Sequence, residues 1–207
     1  EQFAKLGLKS TDEIKKPLPN PSLKIDLKNL EVQIQKLKID VSKPSLAICP
    51  GAEFGPAKKW PSNYYAEVCN EFLLKGWNVL VFGSINDALT GSQIESSINN
   101  QYSEGFFNLV GKTSLLDAID LMSHCKKAVT NDSGLMHIAA AVDTPLVAVY
   151  GPSSPKFTPP LIQNHVVLSK FDGLDKTRTG SEKSGYHESL VAIKPSEVLK
   201  SLEKLDQ

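Results

Sequence analysis

From Ser45 onward, apolar positions come in two kinds of block. Short dense runs, SLAIC at Ser45–Cys49, Trp77 to Phe82, Phe107 to Val110, Lys127 to Thr130, Pro145 to Tyr150 and His165 to Ser169, have the length and β-branched content of buried strands. Between them the apolar residues are spaced for helices. Ser62 to Lys75 carries Tyr65, Val68 and Phe72 on one face and is stopped by Gly76. A second helix is expected from about Asp87 to Ile98. A third runs from Leu115 to His124, where Ser114 and Asp117 form a capping box. Pro195 at a first helical position, followed by Val198, Leu199, Leu202 and Leu205, predicts a terminal amphipathic helix. Strands alternating with helices require crossover connections, so the pattern predicts an α/β fold with a parallel sheet covered on both faces.

Residues 1 to 44 have another texture, rich in Lys and Pro and poor in continuous apolar sequence. Leu23, Ile25 and Leu27 alternate as in a short strand, and Leu30, Ile34 and Leu37 suit a short helix after an Asn29 cap. Pro17, Pro19, Pro21 and Pro44 punctuate the segment. It reads as a connector to an upstream domain, with residues 45 to 207 as the domain proper. A first residue of Glu1, inside EQFAKLGL, reads as a cut from a longer polypeptide.

One stretch changes character three times, AVTNDSGLMHIAAA at Ala128 to Ala141. Ala128 to Thr130 close a strand, Asn131 to Gly134 suit a tight turn and a helix cap, and good helix formers follow from Leu135. A helix therefore starts at the carboxyl end of a strand, where ligands sit in open α/β sheets and where unpaired N–H groups favour a phosphate. His137 lies four residues after Ser133, on the face of the turn. An ordinary cap followed by a core histidine explains these residues equally well.

The loop after the first strand, PGAEFGPAKKWP at Pro50 to Pro61, contains neither a GxGxxG fingerprint nor the GxxxxGK[ST] spacing of a P-loop, which disfavours dinucleotide dehydrogenases and P-loop NTPases. Gly51 admits close approach of backbone to a ligand, and Lys58 or Lys59 can neutralise a phosphate. A surface loop with solvated lysines and a Trp anchor is the competing reading.

Composition removes several classes. Lys plus Arg and Asp plus Glu both total 23, so no general field draws the chain to nucleic acid or anionic lipid. With 41% hydrophobic and 22% charged residues it reads as a globular protein with one sizeable core, or one core plus an appendage. Cys49, Cys69 and Cys125 fall in apolar contexts without CxxC spacing and are expected to be reduced core residues in the cytoplasm. No apolar run reaches membrane-spanning length. No cluster has metal-ligand spacing, so no metal is expected.

Together, PGAEFGPAKKWP, TNDSGLMH, YGPSSPKFTPP at Tyr150 to Pro160 and GYHESL at Gly185 to Leu190 resemble the C-terminal half of the ADP-heptose:lipopolysaccharide heptosyltransferases, above all the heptosyltransferase II type. The resemblance spans about Ser45 to Val198. It implies a Rossmann-like doubly wound parallel sheet, the donor-binding domain of a glycosyltransferase B fold, facing an acceptor domain across a cleft. The general base is then expected in that other domain. By motif, Gly51 and Ala52 correspond to the loop beside the phosphates and Lys58 to a lysine near the diphosphate. Asp132, Ser133, Gly134 and His137 correspond to the family's donor-site aspartate, hydroxyl residue, glycine and histidine. Asp87, in GSINDA, is the candidate for the acidic residue near the adenosine ribose. Lys59 stands where many relatives carry Arg, which keeps the charge but not bidentate contacts. The loop from Lys170 to Ser189 lacks the cysteines common in similar proteins.

The implied reaction is inverting, metal-independent and cofactor-free, moving heptose from ADP-heptose to the inner core of lipopolysaccharide. The cytoplasm is its expected compartment, with contact at the inner face of the inner membrane and the oligomeric state left open. Negative charge grows on the departing ADP, which a helix N-terminus, Lys58 and a cationic His137 would stabilise. Asp132 would cap the helix, orient His137 or a lysine, or bond a sugar hydroxyl. Tyr186 and His187 either line the cleft or are structural. A nucleotide-binding module without chemistry, and a glycosyltransferase or epimerase using another nucleotide-sugar, are the competing functions.

Overall fold

The computed structural model describes residues 18–52, 55–171 and 185–205. Six strands, β1 (Ser45–Cys49), β2 (Asn78–Val81), β3 (Phe106–Asn108), β4 (Lys127–Asn131), β5 (Leu146–Tyr150) and β6 (His165–Ser169), form one sheet. Their order is β3-β2-β1-β4-β5-β6 with every pairing parallel. This is the strand order of the Rossmann fold, and its reversal point lies between β1 and β4.

Seven α-helices among the described residues cover the sheet: α1 (Leu27–Leu37), α2 (Ser62–Leu74), α3 (Ala88–Glu95), α4 (Leu115–His124), α5 (Gly134–Ala141), α6 (Glu188–Val191) and α7 (Pro195–Lys204). Successive strand residues point to opposite faces, so β1 divides its side chains between two cores. Leu46 and Ile48 join Trp60, Tyr65, Phe72 and Leu202 beneath α2 and α7. Ala47 and Cys49 join Leu121, Met122, Met136 and Ala139 beneath α4 and α5. The second face is lined by small residues, including Ala128 and Ala148, which lets the alanine-rich α5 approach closely.

The terminal helix, α2 and α4 lie where periodicity places them, and both halves of the Ser114–Asp117 capping box are made. Differences arise where side chains capture the backbone. The helix expected over Asp87 to Ile98 is shorter, because the hydroxyls of Ser96 and Ser97 both donate to the Gln93 carbonyl and help end it at Glu95. A 3-10 turn over Ile85–Asp87 precedes it. The expected strand over Phe107 to Val110 is displaced to Phe106–Asn108, since the Asn108 side chain accepts from the Val110 N–H and turns the chain.

Leu23, Ile25 and Leu27 form no strand, and Asn29 is not the cap of α1. Asp26 caps it instead, its carboxylate accepting from the N–H groups of Lys28 and Asn29, and Leu27 is already helical. The Asn29 amide is thereby released to bond two carboxylates of α4, Asp117 at 3.0 Å and Asp120 at 2.8 Å. Gln33 adds a 3.0 Å bond to Asp117, while Leu30, Ile34 and Leu37 pack on the α5-side core. The segment with the texture of a connector thus carries a helix docked on this sheet; residues 1–17 of the predicted connector lie outside the described residues.

Candidate functional site

A cavity of about 320 Å³ opens at the carboxyl edge of the sheet, on the side of the reversal point. Each wall begins where a strand ends. Gly51 and Ala52 follow β1; Gly83, Ser84 and Asp87 follow β2; Thr113, Ser114 and Leu115 follow β3; Ser133 and Gly134 follow β4. Ala118, Leu135 and Ile138, on α4 and α5, make an apolar flank. Of the residues singled out from sequence, Gly51, Ala52, Asp87, Ser133 and Gly134 line this space. Lys58, Lys59, Asp132 and His137 do not.

Two lysine-carboxylate pairs brace the loop that bears the lysines. Lys58 Nζ meets Asp132 Oδ2 at 2.7 Å and Lys59 Nζ meets Asp87 Oδ1 at 3.0 Å. Of the roles open to Asp132, contact with a lysine is the one on display. Its other oxygen accepts from Thr158 Oγ1 at 3.1 Å. Asp87 also accepts, through Oδ2, from the N–H and hydroxyl of Ser84 at 3.1 Å each. A Cβ on Gly51 would stand 2.6 Å from that same Oδ2, so the glycine is required by the carboxylate packed against it.

The turn after β4 departs from a simple cap. Ser133 occupies the N-cap position of α5 but its side chain makes no cap bond, and its buried hydroxyl has no partner. A polar group left so at the start of a helix costs stability unless something else satisfies it. Gly134 is open: apart from its chain neighbours and the backbone of its own helix, no atom lies within 4 Å of where its Cβ would be. Unbonded hydroxyl, open glycine and helix terminus together make a receptive anion position. His137 is exposed and makes no hydrogen bond among the described residues.

Asn131 does not act in the turn either. It is the last residue of β4, fully buried, and its Oδ1 accepts from the Trp60 N–H at 3.1 Å and the Tyr65 hydroxyl at 2.9 Å. Its Nδ2 donates to the Pro50 carbonyl at 2.7 Å. One amide therefore ties both ends of the lysine loop to the end of β4. Trp60 is buried against Tyr65 in an edge-on contact and donates its indole N–H to the Ile193 carbonyl, so the Trp does anchor this loop.

Tyr150, at the end of β5, donates its hydroxyl to the Thr158 carbonyl, with Met136 Sδ at 3.2 Å. Burial, reinforced by the negative charge of Asp132, pushes its pKa up. Burial likewise pushes up the thiols of Cys49, Cys69 and Cys125, all free. Of the GYHESL pair, Tyr186 brings its hydroxyl to Ser62 N at the start of α2, at 3.3 Å. The His187 ring caps α6 by accepting from the Ser189 N–H. Both contacts are structural.

Gly83, Ser84, Thr113 and Leu115 are lining residues that sequence reasoning passed over. The signal was present, since a Gly-Ser pair after the run NVLVF marks a strand's carboxyl end as Pro50-Gly51 does.

The model of glycosyltransferase family 9 (heptosyltransferase) matches residues 2–187. Lipopolysaccharide heptosyltransferase 2 of Salmonella typhimurium is 41% identical over 198 residues, which are 96% of this chain and 57% of that protein. The solved structure of Escherichia coli ADP-heptose lps heptosyltransferase II superposes with a TM-score of 0.84 at 41% identity, covering 93% of this chain and 55% of that one. A glycosyl transferase family 9 structure from Veillonella parvula gives a TM-score of 0.77 at 25% identity, covering 98% of this chain and 57% of its own. The chain thus spans little more than half the length of these relatives.

Proposed function

The chain belongs to glycosyltransferase family 9, and from that premise we propose that it is the donor-binding half of a heptosyltransferase that moves heptose from ADP-heptose to the inner core of lipopolysaccharide. The observation that carries the reading is the cavity at the sheet's carboxyl edge, where the unbonded Ser133 hydroxyl and the open Gly134 meet the N-terminus of α5. In this reading the diphosphate lies at that terminus and the adenine enters the apolar flank of Leu115, Ala118, Leu135 and Ile138. Asp87, placed beside Gly51, bonds the ribose hydroxyls.

Breaking the bond from the anomeric carbon to the diphosphate leaves charge on ADP. The α5 N–H groups, Ser133 and Lys58 stabilise it as preorganised donors, each worth a few kcal/mol in enzymes of this kind. Lys58 reaches the phosphate while still held by Asp132, and the exposed His137 swings to the leaving oxygens. No metal is assigned to this chemistry, so ADP binding should persist in EDTA. The enzyme is placed in the cytoplasm, meeting its acceptor at the inner face of the inner membrane; no described helix is long and apolar enough to cross it.

Attack requires an acceptor hydroxyl held and deprotonated opposite the leaving ADP, positioning that contributes many kcal/mol. The groups assigned here all serve the leaving side. The 207 residues alone should therefore bind ADP without turnover, and activity on a heptose-deficient lipopolysaccharide should appear when the chain is joined to the acceptor half of a relative. Turnover by the 207 residues at the rate of the joined protein would refute the division of labour.

A further inference from the structure

Building on the donor-site reading, we propose that Thr158 is a positioning residue of the donor site, holding the Asp132 carboxylate in the orientation from which it presents Lys58. Asp132 is buried, and its two oxygens are engaged separately, Oδ2 by Lys58 Nζ at 2.7 Å and Oδ1 by Thr158 Oγ1 at 3.1 Å. A carboxylate held at one oxygen can rotate about its χ2 axis. Held at both, from two different loops, it cannot. Thr158 is itself fixed, because its carbonyl accepts from the hydroxyl of Tyr150, whose fully buried ring is seated at the end of β5.

The need for this restraint is electrostatic. Asp132 immediately precedes Ser133, at the terminus where the diphosphate is placed, and a carboxylate free to swing there would repel the ligand. Thr158 draws Oδ1 toward the loop after β5, which keeps the negative charge on that side. Lys58 is only partly buried, and its ammonium stays where Oδ2 stands. Thr158 is exposed, so its hydroxyl matters for orientation and hardly at all for packing.

The test is calorimetric titration of the 207-residue chain with ADP, for Thr158→Val, Thr158→Ser and Thr158→Val combined with Lys58→Ala. Loss of one hydrogen bond to a charged acceptor should weaken ADP binding about tenfold in Thr158→Val. Thr158→Ser should restore affinity. In the Lys58→Ala background the valine substitution should cost clearly less than it does alone, because the part of its effect carried by Lys58 is already gone. All variants should remain folded at the titration temperature, which thermal melts check. ADP affinity unchanged in Thr158→Val, no rescue by Ser, or full additivity with Lys58→Ala would each overturn the proposal while leaving ADP binding by the unsubstituted chain intact. Absence of ADP binding by that unsubstituted chain would overturn the donor-site reading and this proposal with it.

Discussion

Asn131→Asp changes one group in the amide that ties the lysine loop to β4, with almost no change in volume. Oδ1 keeps its bonds from the Trp60 N–H and the Tyr65 hydroxyl, but the Nδ2 donor, 2.7 Å from the Pro50 carbonyl, becomes an oxygen facing an oxygen. If the new acid ionises, a buried charge has two donors and no cation among these partners. If it stays protonated, it donates to Pro50 and the network survives at the cost of holding a proton. An uncompensated buried charge and an orphaned carbonyl together cost about 3–5 kcal/mol. In a chain of this size that lowers the melting temperature by roughly 10 °C.

The pH dependence has a definite sign. Burial and the facing carbonyl raise the folded-state pKa of the acid above its unfolded value, so stability is retained below the unfolded pKa and lost as pH rises through the folded one. Thermal melts of Asn131→Asp and the unsubstituted chain across a pH series should nearly coincide in acid and separate toward neutrality. ADP affinity should fall with the same pH dependence, since Gly51, Lys58 and Lys59 sit on the loop that the amide holds. Equal melting at neutral pH, or a gap independent of pH, would refute the assignment of Asn131 as the clamp.

Gly51→Ala puts a methyl 2.6 Å from Asp87 Oδ2 and forces that carboxylate off Ser84 and Lys59; ADP affinity should drop about tenfold or more, with a small change in urea midpoint, and unchanged affinity would remove Asp87 from the site. Asp117 is held below the usual carboxylate range, first by the Ser114 hydroxyl and then by Asn29, the Ser114 N–H and Lys36, against its desolvation. A depressed pKa stabilises above the unfolded value and is lost as pH falls through the folded one, so Asp117→Asn should cost about 1 kcal/mol near neutrality. The deficit should close in acid when both proteins are unfolded with urea, and a deficit that persists there contradicts the cap.

Legibility from sequence follows the range of the interaction. The capping box of α4 is readable because its partners lie three residues apart, and the strand runs because a buried strand is written as consecutive apolar residues. The start of α1 was misplaced because the alternation of Leu23, Ile25 and Leu27 imitates a strand, while Asp26, the residue that decides the matter, sits between them. Asn131 read as a turn residue because its partners, Trp60, Tyr65 and Pro50, are 66 to 81 positions away. The same holds for Lys58 with Asp132, 74 apart, and for Asn29 with Asp120, 91 apart. Ser133 had the residue type and position of a cap, and only the three-dimensional course of the turn shows its hydroxyl left unbonded.

In the proposed donor site the carboxyl-edge cavity holds an adenosine diphosphate. Calorimetric titration of the chain with ADP, GDP and UDP under one buffer condition tests it most directly, with Lys58→Ala as the matched control. ADP should bind saturably, GDP and UDP more weakly, and Lys58→Ala should show a clear loss. Equal affinity for the three nucleotides, or ADP binding indifferent to Lys58, would contradict it.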